Sequence, residues 1–255
     1  MSDLFSLDKK IAVVVGGAGG IGEALALGLS QHGAGVVVAS RGLEALNKVA
    51  AEIKSKTGGE VLAMKVDVTD EESMAKLVRD VVEKCGTVDV LVNAMGVNLK
   101  ADAVEFPMDT WDMIFDVNVK GTMIACKHFG KLMKEKKRGK IINLSSVREK
   151  RGYTGGNAAY CGTKGAVGSI TRTLALEWAP YNIHVNAIGP SLIITQGTIH
   201  IKNDPKLAKK YEAQIPLGKL GMPEDLIGGC VFLASEASDF ITGQTIYIDG
   251  GLTAA

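Results

Sequence analysis

Cysteine, aromatic side chains and long apolar runs are all scarce in this sequence. The 255 residues include four cysteines, and their spacing fits neither a zinc site nor a disulfide framework: Cys85, Cys126, Cys161 and Cys230. We therefore expect reduced thiols, a cytoplasmic protein and no metal site. No run of about 18 apolar residues occurs, so no membrane span is predicted. The first ten residues, MSDLFSLDKK, are polar and carry acid, which argues against a signal peptide.

An excess of charge of either sign is also absent. The formal net charge is +1, so the chain lacks the basic footprint of a nucleic-acid binder, and no nucleic-acid partner is expected. Aromatic residues make up only 5% of the chain, so valine, isoleucine, leucine and alanine must fill the interior. The length suits one large α/β domain or two small ones.

Short apolar runs, most of them apolar on both faces, alternate with helical patterns along the whole chain. They predict strands at 11–15, 36–39, 61–66, 88–92, 140–144, 183–188 and 246–249. Helices are predicted between them, after the first strand and at 42–56, 71–85, 109–134, 158–179 and 223–235. This alternation predicts an α/β fold: one domain, 1–255, with a Rossmann-type, doubly wound parallel sheet of about seven strands. A ligand crevice is expected at the carboxyl ends of the strands.

The stretch VVVGGAGGIGEALALG, residues 13–28, contains two overlapping glycine patterns. Gly17, Gly19 and Gly22 fit G-x-G-x-x-G, whereas Gly16, Gly20 and Gly22 fit G-x-x-x-G-x-G. The stretch follows the first predicted strand and opens the first helix, which is the setting of a phosphate-binding turn. The alternative is that these small residues only allow close packing of helix on strand.

Tyr160 and Lys164 lie four residues apart in a predicted helix and therefore share one face. An ammonium group near a phenol can lower its pKa by roughly 1–3 units, which favours proton exchange with an alcohol or ketone. Taken alone, the pair is also compatible with a surface Tyr–Lys contact.

Two further polar positions lie where they can join such a site. Ser145 and Ser146 follow a predicted strand, at the edge of the sheet where catalytic residues collect. Asn118 and Gly121 interrupt a predicted helix, and we expect the backbone to open locally there. A solvent-facing position is the alternative for Asn118.

These features together resemble the short-chain dehydrogenase/reductase family over essentially the whole chain. The matching motifs, in chain order, are VGGAGGIG (15–22), DV (67–68), NAMG (93–96), NVKG (118–121), SS (145–146), YCGTK (160–164), GPSLIIT (189–195) and IDGG (248–251). The resemblance selects the G-x-x-x-G-x-G spacing. It places the cofactor motifs mainly within 11–96 and the catalytic and substrate part within 110–255, and it implies a homotetramer.

The resemblance also implies catalytic roles. Tyr160 would be the general acid/base, and Lys164 would lower its pKa and hold the nicotinamide ribose. Ser146 would bind the substrate oxygen, and Asn118 would anchor a water in a proton relay to Lys164. Ser146 lies 14 residues before Tyr160, one more than the family usually has, which leaves the choice between Ser145 and Ser146 open.

The resemblance implies a dinucleotide cofactor. Its expected contacts are Gly16, Gly20, Ile21, Gly22, Asp67, Val68, Asn93, Gly96, Tyr160, Lys164, Pro190, Ile193 and Thr195. The second strand ends in Ser40 and Arg41, with no acidic residue before Glu44. A carboxylate at this point would favour NAD, whereas a guanidinium suits the 2′-phosphate, so we expect NADP(H). A surface arginine is the alternative for Arg41.

The substrate is expected to be a small carbonyl or alcohol with an acidic group. Arg148 stands two residues after Ser146, and five other basic residues are expected around the same mouth: Lys100, Lys150, Arg151, His200 and Lys202. The segments NAIGPSLIIT (186–195) and GMPEDLIGGCVFLAS (221–235) look most like the gluconate 5-dehydrogenase type, with gluconate or 5-ketogluconate as substrate. The alternative functions are a 3-oxoacyl-(acyl carrier protein) reductase and an inactive nucleotide-binding regulator. The alternative for the basic residues is that they are only solvated and bind no substrate.

Overall fold

A computed structural model describes residues 3–254, which contain one seven-stranded parallel sheet. The strands are β1 Ile11–Val15, β2 Gly35–Ser40, β3 Val61–Lys65, β4 Val90–Asn93, β5 Gly139–Leu144, β6 Ile183–Pro190 and β7 Thr245–Ile248. Their spatial order is β3-β2-β1-β4-β5-β6-β7. The order reverses between β1 and β4, so the ligand crevice of such a sheet lies at the carboxyl ends of these two strands.

Helices connect the strands and cover both faces of the sheet. They are α1 Gly20–Gln31, α2 Leu43–Thr57, α3 Glu71–Cys85, α4 Met108–Phe115, α5 Gly121–Lys136, α6 Ala158–Trp178, α7 Ile199–Asn203, α8 Pro205–Glu212 and α9 Ile227–Ala234. Local signals set several ends: the Asp70 side chain accepts the Glu72 N–H at the start of α3, and Gly86 ends that helix with a left-handed backbone.

Alternating residues of the central strand feed two separate cores, as the doubly wound arrangement requires. Ala12 and Val14 pack in the core under α1, α2 and α9, whereas Val13 and Val15 pack in the core under α3, α5 and α6. Because neither face of β1 meets water, its sequence is apolar throughout. The predicted fold class is confirmed.

The structure departs from the sequence-based prediction at two helical segments. The helix expected at 109–134 is divided into α4 and α5 by a π-helical turn, Asp116–Lys120, which is the local opening expected at Asn118. The helix expected at 223–235 begins as a 3₁₀ turn, Pro223–Leu226, and becomes α-helical only at α9.

The polar segment after β6 contains α7 and α8, which the sequence did not predict. These helices surround a small apolar core of their own, formed by Ile194, Ile201, Ile215 and Leu220. The segment is therefore a compact flap beside the carboxyl end of β6. Within the described residues, no helix is both long and apolar enough to cross a membrane.

Candidate active site

The glycine loop joins β1 to α1 and lies against the strand end of β4. Gly16 has a φ of +89°, and a Cβ at this position would lie 2.6 Å from the backbone nitrogen of Met95. Gly20, the first residue of α1, has a φ of +58°. Both positions therefore require glycine. A side chain on Gly22 would overlap the carbonyl of Gly16, so all three glycines of the G-x-x-x-G-x-G spacing are needed for the turn.

The start of α1 is suited to binding an anion. Its N-cap, Gly19, provides no side-chain acceptor for the first N–H groups of the helix. Such groups, together with the positive end of the helix dipole, bind phosphate. Thr195, from the segment after β6, lies beside this point, because a Cβ on Gly20 would be 3.3 Å from the Thr195 methyl group. Two predicted cofactor contacts that are distant in sequence thus meet here.

Basic side chains lie where the second strand ends. Arg41 is exposed directly after Ser40, and Lys65 is the register partner of Ser40 on the neighbouring strand β3. Hydrogen bonds from Thr69 are the main cause of the lowered pKa of Asp67, and the charges of Arg41 and Lys65 add to the same shift. Sequence reasoning missed Lys65, which register across β2 and β3 brings to this corner.

The side chain of Asn93 is buried under the sheet, away from the crevice. Its Nδ2 donates to Asn143 Oδ1 at 2.9 Å and to Cys126 Sγ at 3.4 Å. The expected cofactor contact at this residue is therefore not available to its side chain and would have to come from the main chain. Asn143 thus satisfies the amide N–H group of Asn93, whereas Asn93 Oδ1 is buried without a hydrogen-bond partner among the described residues.

The other expected cofactor residues lie at or near the strand ends. Pro190 is the last residue of β6, and its carbonyl accepts from Ser146 Oγ at 3.4 Å. Ile193 is buried in the core under α1, whereas Ile21 is only partly buried and packs against that core. Val68 contacts the backbone at Gly121, where an added Cβ would lie 3.0 Å from the valine methyl group.

Asn118 connects the π-helical turn to two other segments. Its Oδ1 accepts the Val97 N–H at 2.8 Å, and its Nδ2 donates to Val97 O at 2.9 Å and to Thr163 Oγ1 at 3.1 Å. Thr163 Oγ1 in turn donates to the carbonyl of Tyr160 at 2.8 Å. The residue thus fixes the loop after β4 against the start of α6.

Gly96 separates Asn118 from Lys164. A Cβ at residue 96 would lie 3.6 Å from Lys164 Nζ and 3.7 Å from Asn118 Oδ1. These two polar atoms therefore border one small volume, which glycine leaves free. Lys164 Nζ also donates to the carbonyl of Leu144 at 2.6 Å, and burial lowers its pKa to about 8.

The phenol of Tyr160 lies near one hydroxyl and two basic side chains, those of Ser146, Arg148 and Lys164. Burial raises the pKa of the Tyr160 phenol, whereas the Ser146 hydroxyl and then the Arg148 charge lower it. Lys164 Nζ lies 5.6 Å from the centre of the Tyr160 ring and points to the carbonyl of Leu144. Two cationic side chains, Arg148 and Lys164, therefore lie near the Tyr160 ring.

The side chains of Ser145 and Ser146 point to different parts of the protein. Ser145 Oγ donates to Glu149 Oε2 at 2.7 Å and lies 3.3 Å from the Lys164 carbonyl, so it points into the body of the protein. Ser146 Oγ accepts the Arg148 N–H at 3.2 Å and lies beside the phenol of Tyr160. Ser146, not Ser145, is the serine next to the tyrosine.

Arg148 places a half-buried positive charge near Tyr160. Its guanidinium lies 3.7 Å from the ring centre of Tyr153, and burial is the main cause that lowers its pKa. Among the described residues, Arg148 is not part of an ion pair. Burial, and then the nearby hydroxyl of Tyr211 on α8, raise the pKa of Tyr153 to about 12, so the flap lies next to the ring that contacts Arg148.

The other basic residues that the sequence placed at the mouth of the site have surroundings different from those of Arg148. Lys150 Nζ lies 5.2 Å from the ring centre of Tyr247, and Arg151 donates to the carbonyl of Leu252. Lys100, His200 and Lys202 are exposed. Sequence reasoning also missed Tyr153 and Tyr211, because a tyrosine in a polar loop carries no signal until the chain is folded.

Comparison with known proteins agrees with this geometry. A family model described as enoyl-(acyl carrier protein) reductase matches residues 16–253. The chain belongs to the short-chain dehydrogenase/reductase family. The family assignment made from the sequence motifs is thereby confirmed, and with it an oxidoreductase.

Individual members of the short-chain dehydrogenase/reductase family match over nearly the full length. The 2-dehydro-3-deoxy-D-gluconate 5-dehydrogenase of Dickeya dadantii is 37% identical, over 97% of this chain and 96% of that protein. The NAD-dependent glycerol dehydrogenase of Listeria innocua is 38% identical, over 98% and 96%. A crystal structure of a gluconate 5-dehydrogenase from Burkholderia cenocepacia in complex with NADP and tartrate has a TM-score of 0.94 and 32% identity, covering 99% of this chain and 98% of that one.

Proposed function

We propose that this enzyme interconverts a secondary alcohol and a carbonyl with NADP(H), on a polar, acidic polyol or keto acid such as gluconate and 5-ketogluconate. The observation that carries the proposal is the meeting of Ser146, Tyr160 and Arg148 at one edge of the sheet. The hydroxyl and the phenol can bind and protonate a substrate carbonyl. Arg148, which forms no ion pair within the described residues, can bind a carboxylate near that carbonyl.

The residues present fit the dinucleotide. The glycine turn leaves no room for side chains, the start of α1 has no side-chain cap, and Thr195 lies over Gly20. The bound nicotinamide would supply or accept the hydride. Arg41 and Ser40, with Lys65 alongside, would hold the 2′-phosphate, which supports NADP(H) over NAD. The Burkholderia structure contains NADP, whereas the Listeria relative is named for NAD.

The proton route follows from the same residues. In the direction of reduction, the Tyr160 hydroxyl gives its proton to the substrate oxygen while the Ser146 hydroxyl donates a hydrogen bond to it. The positive charges of Arg148 and of Lys164, whose Nζ lies 5.6 Å from the centre of the Tyr160 ring, stabilise the resulting phenolate. A water in the volume bordered by Asn118 Oδ1 and Lys164 Nζ would return the proton to the site.

The two alternative functions find less support. An acyl chain would need an apolar slot, whereas charged Arg148 stacked on Tyr153 occupies this side of Tyr160. A regulator without catalysis would not need a set of catalytic side chains held together. Here hydrogen bonds join the segments that carry them, namely Asn118, Ser146, Tyr160 and Lys164. We further propose a homotetramer, since α4 and α5 expose the apolar side chains of Met108, Met113 and Met123.

The test is a substrate panel with the purified enzyme. Gluconate, 5-ketogluconate, 2-dehydro-3-deoxygluconate, glycerol, neutral ketones and a 3-oxoacyl thioester are each offered with NADP(H) and with NAD(H). The proposal predicts turnover of an acidic compound and preference for NADP(H). Preference for the thioester or for a neutral ketone would contradict the substrate class, and preference for NAD(H) would contradict the cofactor.

A further inference from the structure

Glu149 is a buried carboxylate to which the proposed reaction assigns no role. It closes the 3₁₀ turn Val147–Glu149, directly after Arg148 and three residues after Ser146. Its side chain is only 7% exposed. Burial of a carboxylate is costly unless hydrogen bonds or an opposite charge compensate it. Its partners therefore show what the residue holds together.

Three structural elements converge on this carboxylate. Glu149 Oε2 accepts from Ser145 Oγ, at the end of β5, at 2.7 Å and from Thr245 Oγ1, at the start of β7, at 3.1 Å. Its Oε1 pairs with Arg172 Nη1 of α6 at 3.0 Å. Ser145 Oγ is also 3.3 Å from the carbonyl of Lys164. One side chain thus joins two strands to the helix that carries Tyr160 and Lys164.

The approach of α6 to this carboxylate depends on a missing side chain. A Cβ on Gly168 would overlap the carboxylate of Glu149. Gly168 lies one helical turn after Lys164, so both residues are on the same face of α6. The part of α6 that Glu149 anchors is therefore the part that presents Lys164.

We propose that Glu149 is a positioning residue, which holds the turn bearing Ser146 and Arg148 against α6 and β7. Ser146 Oγ accepts the Arg148 N–H at 3.2 Å, so these two residues are placed together. Both influence the phenol of Tyr160. Glu149 acts through them rather than on the reacting atoms, and the inference rests on the proposed function, in which Arg148 binds the acidic group of the substrate.

Two variants disturb the anchor in different ways. Glu149→Gln has almost the same shape, but a single oxygen must then accept from both Ser145 and Thr245, and its amide N–H groups face Arg172. Gly168→Ala leaves every charge in place and pushes a methyl group into the carboxylate from α6. The matched control is Glu177→Gln, the same chemical change at an exposed position of the same helix.

The measurement is the ratio of kcat/KM for an acidic substrate to kcat/KM for a neutral ketone, at a temperature well below each unfolding midpoint. NADPH titration gives the concentration of competent sites in each preparation. We expect the ratio to fall at least tenfold in Glu149→Gln and in Gly168→Ala, and to stay within twofold of wild type in Glu177→Gln. A general loss of folded protein would lower both rates equally and leave the ratio unchanged.

The outcomes separate the two claims. Absence of wild-type turnover on every compound of the panel would overturn the proposed function. Wild-type turnover together with an unchanged ratio in both anchor variants would overturn only the role of Glu149. If Glu149→Gln does not fold, Gly168→Ala alone decides, since it changes no buried charge.

Discussion

Lys164 Nζ and Asn118 Oδ1 face one small volume beside the Cα of Gly96. A methyl group at this point would be at ordinary contact distance from both atoms, 3.6 and 3.7 Å. It would therefore fit without unfolding the protein, but it would take the place of a water between the two groups.

Gly96→Ala is expected to lower kcat roughly tenfold to a hundredfold, because the proton that leaves Tyr160 can no longer be replaced through this volume. The thermal midpoint should change by no more than a few degrees. Steady-state kinetics and calorimetry on the same preparation check both statements. Gly165→Ala, on α6, is the control and should retain wild-type kcat, because no atom of the described residues lies within 4 Å of a Cβ added there. Normal kcat in Gly96→Ala would exclude a water route at this point.

Lys164 gives a prediction about stability and pH. Burial lowers its pKa from 10.5 to about 8. Between these values the unfolded chain binds a proton that the folded chain has released, so the contribution of this residue to stability rises with pH. The full effect is about 3 kcal/mol. The free energy of unfolding of wild type relative to Lys164→Met should thus increase from pH 8 to pH 10.5.

Urea denaturation at a series of pH values measures this difference. Lys120→Met serves as the control, because Lys120 is exposed and, within residues 3–254, forms an ion pair with Asp116 alone, across one helical turn. Its difference from wild type should be nearly independent of pH in the same window. A flat profile for Lys164→Met as well would mean that the ammonium group is not held in a buried site.

Arg41 is expected to determine the choice of cofactor. Arg41→Ala should weaken NADPH binding roughly tenfold to a hundredfold and leave NADH binding almost unchanged, since only NADPH presents a 2′-phosphate. Fluorescence titration with both nucleotides measures this, with Lys54→Ala on α2 as the control. Equal losses for the two nucleotides would show that Arg41 has a structural role instead.

Arg148 is expected to select acidic substrates. Lysine keeps the charge but cannot form paired hydrogen bonds with a carboxylate, so Arg148→Lys should raise KM for an acidic substrate several-fold. KM for neutral ketones should change little. Arg151→Lys is the matched control, because Arg151 donates to the carbonyl of Leu252 instead. If Arg148→Lys and Arg148→Ala both treat acidic and neutral substrates alike, the acidic substrate class loses its main support.

Much of the fold could be predicted from the sequence because its signals are local. Runs such as IAVVV are apolar on both faces and leave few alternatives to a covered parallel strand. The helices α7 and α8 could not be predicted, because their sequence, IHIKNDPKLAKKYE, is mostly polar. The four apolar residues that stabilise the flap come from distant parts of the segment. The 3₁₀ start of the segment 223–235 likewise depends on Pro223 and its tertiary setting.

The site was only partly predictable, for a related reason. Spacing on one helix placed Lys164 near Tyr160, but it could not show that the ammonium points to the carbonyl of Leu144. Nor could it decide between Ser145 and Ser146, which required the position of Glu149. Side-chain direction and the pKa of a buried group depend on packing between elements, which no short motif records.

The most direct test of the account is single-turnover reduction of an acidic substrate by Tyr160→Phe with bound NADPH. The phenol oxygen carries the proton and contributes little to cofactor affinity, so we predict a rate about 10²–10⁴-fold below wild type and an unchanged Kd for NADPH. A rate close to that of wild type in Tyr160→Phe would contradict the assignment of Tyr160 as the proton donor, and with it the mechanism proposed for this enzyme.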